Sequence, residues 1–264
     1  MTGDRFALEL AFAGEVATRA GELLLERLDK VERISHKSPK DVVTEVDHLS
    51  EALILDAIRE AFPDDGVLAE ESGVAVGTSG RVWVVDPLDG TVNYANGIPI
   101  FCVAIGLVVD GRPSVGVVRD PVRDETFAAT ADGPATLNGR PIRASDKALL
   151  SDFVISLTID GRQLSERLAA IRQAIRVTRR LGSSALTLAY VANGRFDAFA
   201  QTHGLSAWDV AASGLIAERA GALVTDASTG GPWFDIARGT RTFGVLAAPP
   251  AHHGRLLELV RPVG

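Results

Sequence analysis

Near the start of the chain, apolar positions twice recur at helical spacing. Residues 5–28 place Leu8, Ala11, Phe12, Val16, Leu23, Leu24 and Leu28 close to one stripe. Residues 48–62 repeat the pattern with Leu49, Leu53, Ile54, Ile58 and Phe62 before Pro63 ends the run. Both segments predict amphipathic helices. The polar, proline-containing stretch between them, RISHKSPKDVVTEVD, reads as a loop or hairpin whose VVT core is extended.

From residue 82 to about 145 the pattern changes to apolar runs separated by turn signals: RVWVVDP, FCVAIGLVVDGRPSVGVVRDP and ETFAATADGPATLNGRPI. Val-Val-Asp-Gly-Arg and Leu-Asn-Gly-Arg have the composition of tight hairpin turns, so this half predicts a largely antiparallel sheet. The second half alternates: a strand at 152–159, a helix at 161–176, a helix from Ser184 to Asn193 and a strand at 196–200. A helix at 209–220 closed by Gly221 and a strand at 222–226 follow. Helices covering sheets in both halves imply a layered α/β (α+β) architecture with a soft boundary near Ser145 to Ser151. With no repeat, low-complexity tract or flexible linker, the halves are expected to pack tightly.

Composition narrows the function. The 264 residues are enough to bury a substantial core. A net charge of −7 and a pI near 5.3 argue against a nucleic-acid or membrane-surface partner held by bulk electrostatics and favour a small soluble substrate. The N-terminal MTGDRFALELAFAGE lacks a secretory apolar core, and no later run is long enough to span a bilayer, so the expected location is cytoplasmic. The single cysteine, Cys102, lies in an apolar run and reads as a buried structural thiol.

The stretch VWVVDPLDGTVNY carries the candidate chemistry. Its apolar run delivers Asp86 to a strand end, Pro87 stops the ladder, and Gly90-Thr91 can start a helix whose N–H groups favour an anion. Two carboxylates beside an anion cradle repel unless cations sit between them, and oxygen ligands suit Mg2+. The plain alternative is a type I turn, for which Asp-Pro-x-Asp-Gly is a strong signature. In GVLAEESG, Glu70 and Glu71 follow the apolar Val67–Ala69, and either at least one of them enters a polar pocket or both lie in a solvated loop. In LSAWDVAASGLIAERAG, Asp209 either joins a site or is an N-cap. Thr44 and Asp47 have capping-box spacing, which explains them structurally by itself. His252 and His253 read as exposed near the C-terminus, and no zinc-type spacing is present.

Taken in order, T-x-x-D, E-E-S, D-x-x-D-G-T and W-D-x-A resemble the inositol monophosphatase family of Mg2+-dependent, Li+-sensitive phosphatases. The resemblance runs from about Lys37 to Asp226. It implies an α-β-α-β-α sandwich of the type shared with fructose-1,6-bisphosphatase, with residues 1–147 carrying most metal ligands and 148–264 contributing Asp209 and a substrate-side loop. It also implies a homodimer.

By the resemblance, Glu70, Asp86 and the Leu88 carbonyl hold one metal, Asp86, Asp89 and Asp209 hold a second, and a weaker third sits by Glu70. Glu70 and Thr91 orient and deprotonate a metal-bound water, Asp47 holds the Thr91 hydroxyl, and the N–H groups of Gly90 and Thr91 hold phosphate oxygens. Gly182, Ser183 and Ser184 match a substrate-side region, or alternatively a packed helix start. Thr202 stands where inositol phosphatases commonly place a glutamate, and His203 lies in the loop that faces the substrate's alcohol. Lys37 matches a loop lysine near the metals, or a solvated one. Inositol 1-phosphate is the first expected substrate. Fructose 1,6-bisphosphate, histidinol phosphate and 3′-phosphoadenosine 5′-phosphate are its rivals within the same chemistry. A non-catalytic, partner-binding member of the family and a Ca2+-binding structural protein are the readings from other classes.

Overall fold

Two helices and a hairpin open the chain. The computed structural model describes residues 4–28, 30, 34–38 and 41–261. Helices α1 (Ala7–Arg27) and α2 (Glu45–Ala61) flank the antiparallel strands β1 (Ile34–Ser38) and β2 (Asp41–Thr44), so the polar stretch is a hairpin. Next come β3 (Gly66–Ala69), β4 (Gly73–Ala75), β5 (Arg81–Asp89), the short helix α3 (Thr91–Ala95), β6 (Cys102–Val109), β7 (Arg112–Asp120), β8 (Glu125–Thr130), β9 (Thr136–Leu137) and β10 (Arg140–Pro141). β3 to β10 form an eight-stranded sheet in the order β10-β9-β8-β7-β6-β5-β3-β4, antiparallel except where β3 meets β5. Its predicted hairpin turns are present: Asp110-Gly111 and Asn138-Gly139 take positive φ at both residues, which suits the twist of the flanking strands.

The rest of the chain runs β11 (Val154–Thr158), α4 (Leu164–Ala174), β12 (Val177–Arg179), α5 (Ser184–Ala192), β13 (Ala198–Leu205), α6 (Ala207–Arg219), β14 (Leu223–Asp226), β15 (Phe243–Ala248) and α7 (Pro250–Val260). Its five strands form a mixed sheet in the order β12-β11-β13-β15-β14. Strands β12 and β15 and helix α7 lie outside the elements read from the pattern, and β13 extends past the expected strand at 196–200.

Three clusters of buried residues fill the gaps between layers. One joins α1 and α2 to the outer face of the large sheet, one surrounds α5 and α6 between the sheets, and one packs α4 and α7 on the far face of the smaller sheet. The layering is therefore α-β-α-β-α, as the resemblance implies. The central layer is thin because its helices and the strands beneath are built from small residues. A Cβ at Gly116 of β7 would meet the Ala212 carbonyl oxygen of α6 at 2.5 Å, so backbone lies almost directly on backbone. The same helix lies over β6, where a Cβ at Gly106 would meet Ala211 Cβ at 3.2 Å. Among the described residues no helix is long and apolar enough to cross a membrane.

The buried face of α1 follows the expected stripe only in part: Val16 and Leu24 are buried as expected, Phe12, Leu23 and Leu28 are half-buried, and Ala11 is exposed. Leu8 is 71% exposed, whereas Ala13, Ala17, Ala20 and Gly21 are buried. Small side chains let the helix ride close to the sheet side, as at Gly21, where a Cβ would meet Pro121 Cβ at 3.1 Å. Glu9, buried on the same face, pairs with Arg81 at 2.9 Å. Leu49 of α2 is likewise exposed, while Ile54 and Ile58 are buried as expected.

His253 corrects its sequence reading: it is buried on α7, its Nε2 lies 2.9 Å from Thr225 Oγ1, and burial pushes its pKa down. His252 is half-buried, its ring packed edge-on against Phe153 at 4.9 Å. Cys102 is buried as expected.

Candidate metal centre

β5 brings Asp86 to the site through the buried pair Val84-Val85. Pro87 has no N–H for the ladder, and pairing with β6 shifts register between Asp86 and Asp89. The displaced segment is held from two sides: Leu88 N donates to Asp86 Oδ1 at 3.1 Å, and Ser50 Oγ of α2 donates to the Pro87 carbonyl at 2.9 Å. Gly90 then turns the chain at φ +99°, where a Cβ would lie 3.0 Å from the Ile100 carbonyl oxygen. No other residue fits both constraints.

Each remaining acid arrives on a different element. Parallel pairing sets Ala69 beside Val85, and Glu70 N donates to Val85 O at 3.2 Å, so Glu70 emerges next to Asp86. Asp209 is the third residue of α6, where it accepts from Ser206 N at 2.6 Å in a capping box; Ser206, not Asp209, is the N-cap. Asp89 lies at the N-terminus of α5. Its oxygens accept from Ser183 Oγ at 2.5 Å, Ala185 N at 2.8 Å and Ser184 N at 3.2 Å.

One carboxylate oxygen each from Asp86, Asp89 and Asp209 lie within 4.8 Å of one another. Burial pushes the Asp86 carboxyl well above the usual range, and the charges of Glu70, Asp89 and Asp209 add to it. Asp89 is raised by burial against the opposing bonds from Ser183, Ala185 and Ser184. Asp209 is raised by burial and by Asp89, with Ser206 N and Arg241 acting the other way. A hard divalent cation fits this donor set: the ligands are all oxygen, and their mutual repulsion becomes attraction to the ion.

Behind the acids, Thr91 Oγ1 lies 3.0 Å from both Asp47 Oδ1 and the Leu88 carbonyl oxygen. Asp47 in turn accepts from Thr44 N at 2.8 Å and Thr44 Oγ1 at 2.6 Å, which makes the predicted capping box real. The cap therefore also locks the residue that orients Thr91. α3, which follows, is a single short turn tied by Asn93 Nδ2 to the carbonyls of Ile100 and Leu181, both at 2.7 Å.

The acids open on a cavity of about 330 Å3 lined by Glu70, Asp86, Leu88, Asp89, Gly90 and Thr91 on one side, and by Gly182, Gly204, Ser206, Trp208, Asp209, Thr240 and Arg241 on the other. A roomier depression of about 880 Å3 beside Trp233 and Phe234 brings together no comparable set of ligands, so chemistry and not volume marks the site.

Several expected substrate contacts lie elsewhere. The Ser183 side chain is buried and turned onto Asp89, and Ser184, half-buried, contributes its backbone N–H to the same carboxylate, the arrangement of the packed helix start that was the alternative reading. Thr202 is buried with its hydroxyl on Asp160 at 3.3 Å, and His203 pairs with Asp160 at 3.1 Å, both off the cavity wall. Their place is taken by Gly204 and Ser206. Lys37 lies on β1, and its side chain is outside the described residues. Thr240 and Arg241 carry no local signal in ARGTRTF, because their approach to α6 is set by the path of the chain between β14 and β15.

The model of the inositol monophosphatase family matches residues 8–264. Nus factor SuhB of Pseudomonas aeruginosa is 41% identical over 231 residues, covering 82% of this chain and 84% of that protein. The fructose-1,6-bisphosphatase/inositol-1-monophosphatase of Thermotoga maritima is 37% identical over 224 residues, covering 83% and 85%. The crystal structure of the extragenic suppressor protein suhB from Bartonella henselae superposes with a TM-score of 0.89 at 33% identity, over 96% of this chain and 98% of that one.

Proposed function

The chain belongs to the inositol monophosphatase family, and on that premise we propose that it is a Mg2+-dependent phosphomonoesterase for a small phosphorylated alcohol. The observation that carries the reading is the convergence of Asp86, Asp89 and Asp209, with which no lysine or arginine is ion-paired among the described residues. Two to three Mg2+ ions, held by Glu70, Asp86, the Leu88 carbonyl, Asp89 and Asp209, would supply charge neutralisation and a water of lowered pKa.

The protein's own groups do the rest. The single Thr91 Oγ1 proton goes to Asp47 or to the Leu88 carbonyl, which leaves a lone pair on Oγ1 to accept from a water and aim it. Glu70, half-buried beside Asp86, takes the proton that this water gives up. Attack proceeds in line on phosphorus with no covalent intermediate. The Gly90 and Thr91 N–H groups hold phosphate oxygens. Asp86, Asp89 and Asp209 would hold a metal that neutralises the charge on the departing alkoxide, which takes its proton from solvent water.

Inositol 1-phosphate is the first substrate to try, followed by fructose 1,6-bisphosphate, which the name of the Thermotoga relative includes, then histidinol phosphate and 3′-phosphoadenosine 5′-phosphate. Homodimer formation and Li+ inhibition belong to the same proposal. A second reading, a partner-binding member of the family, is favoured by the name Nus factor borne by the Pseudomonas relative. Phosphate release across the four substrates separates the two. Mg2+-dependent turnover that chelation removes and Asp209→Asn abolishes supports the enzyme, and no release from any of the four refutes it.

A further inference from the structure

A cavity of about 350 Å3 opens at one edge of the smaller sheet, between α4 and the carboxyl ends of β11 and β12. It shares no lining residue with the acidic cavity. β11 runs parallel to β12 on one side and to β13 on the other. The chain steps from β11 through α4 to the edge strand β12 and then returns past β11 to β13, so the strand order reverses at β11. In open α/β sheets, the hollow beyond the carboxyl ends at such a point is where ligands bind.

Three elements supply the wall. Leu164, Leu168 and Arg172 follow one another at four-residue spacing on α4, which sets all three on the side of the helix that lines the cavity. Thr158 ends β11, Thr178 and Arg179 end β12, and Arg180 is next in the chain.

Every charged residue in this wall is an arginine, in a chain whose net charge is −7. Two neighbouring arginines are already engaged: Arg176 pairs with Asp152 at 2.5 Å, and Arg167 donates to the Asp160 carbonyl at 2.5 Å. The arginines of the cavity differ. Arg172 and Arg180 make no hydrogen bond or ion pair among the described residues, and Arg179 makes one, to the carbonyl of the adjacent Thr178 at 2.9 Å. All three are exposed, so water screens their repulsion without removing it.

An anion set among them replaces that repulsion with charge-assisted hydrogen bonds. Guanidinium forks match phosphate oxygens, and the hydroxyls of Thr158 and Thr178 are further donors. Three cations suit more charge than one phosphate carries. The wall holds no aromatic ring on which a base could stack, so the phosphates themselves are what it recognises.

We propose that this cavity binds a small molecule carrying two or more phosphate groups without any metal, at a site independent of the phosphatase reading above. The rival roles are a solvated basic rim and a contact between two copies of the chain.

Pyrophosphate is the probe, titrated by calorimetry in EDTA, where the metal-free acidic cavity repels it. The wild type should bind one pyrophosphate per chain, and added salt should weaken the binding. Arg172→Gln combined with Arg180→Gln should lower the affinity by about 10- to 100-fold. Arg112→Gln, an exposed arginine beside the Trp233 depression, should change it by less than about twofold. No saturable binding in EDTA, or the same loss from Arg112→Gln as from the double substitution, overturns the proposal. If sedimentation shows that the double substitution parts a dimer while pyrophosphate affinity holds, the arginines join copies of the chain and the proposal is likewise overturned.

Discussion

Asp197 and Asp86 are the same residue type at almost the same depth, 0% and 1% exposed, in opposite surroundings. Asp197 is fully met: Lys147 Nζ at 2.7 Å, Ser145 Oγ at 2.5 Å and Val154 N at 2.7 Å. It ties the segment leaving the large sheet to the first residue of β11. Asp86 has one backbone N–H at 3.1 Å and faces three further carboxylates. Stripping water from an ionised carboxylate costs several kcal/mol unless an opposite charge replaces it. For Asp197 the fold provides that charge; for Asp86 it gathers more negative charge instead. Burial alone therefore does not mark a functional acid. Uncompensated burial does, because the balance must come from outside the chain.

The strongest way to break this contrast is Asp86→Asn. Loss of the shared ligand should lower phosphate release by about 1,000-fold. In the metal-free protein the same change should raise the melting temperature, because it removes a repelling charge while an amide oxygen can still accept from Leu88 N. A fall in metal-free stability would mean that Asp86 is structural after all. Asp197→Ala should do the reverse. It strands a buried N–H and a partly exposed ammonium, at a cost of about 2–4 kcal/mol in urea unfolding. The folded fraction should keep its kcat.

The third effect is smaller and concerns pH. Asp86, Asp89 and Asp209 have folded-state pKa values raised above their unfolded ones, so their contribution is fully present below the ordinary carboxylate range and is lost as pH rises through the raised values. The metal-free protein should thus lose stability from acid toward neutral pH. Mg2+ competes with those protons and should restore about 2.7 kcal/mol at one hundred times its Kd, with a larger effect at pH 8 than at pH 5. Melting curves with Mg2+ and with EDTA at the two pH values check this. An Mg2+ effect that is flat with pH would separate the ion from the three acids.

Local grammar made much of this site legible. T-x-x-D is a capping box as read, whereas DPLD is not the expected turn: β5 runs on through Asp89 with an irregularity between Asp86 and Asp89, and the chain turns only at Gly90. They also carry chemistry, since the cap holds Asp47 against Thr91 and the irregularity in β5 sets Asp86 and Asp89 near one point. For the cap, the plain and functional readings were one structure seen at two scales. Periodicity found both opening helices and part of the buried face of α1, Val16 and Leu24, but missed Ala13, Ala17, Ala20 and Gly21, because apolar spacing scores large side chains while close packing on the sheet also selects alanine and glycine. Ser183 could be read either as a substrate contact or as part of a packed helix start, because the pattern GSS carries no sign that its hydroxyl meets Asp89. His253 looked exposed because the packing of α7 on β14 and β15 is long-range.

The sequence by itself determined the type of most elements, though not β12, β15 or α7, together with the hairpin turns, the Thr44 cap and the set of acids, all of which depend on neighbours a few positions apart. The meeting of Glu70, Asp86, Asp89 and Asp209 was decided by tertiary structure: a parallel register, a bulge in β5 and two helix N-termini packed over the strand ends. So was the arrival of Arg241, from a loop whose own residues hold no trace of the site. The physical reason is one of range. Backbone preference and hydrogen bonding act over a turn or two, whereas the field that makes these acids unusual is a sum over charges brought together from across the whole chain.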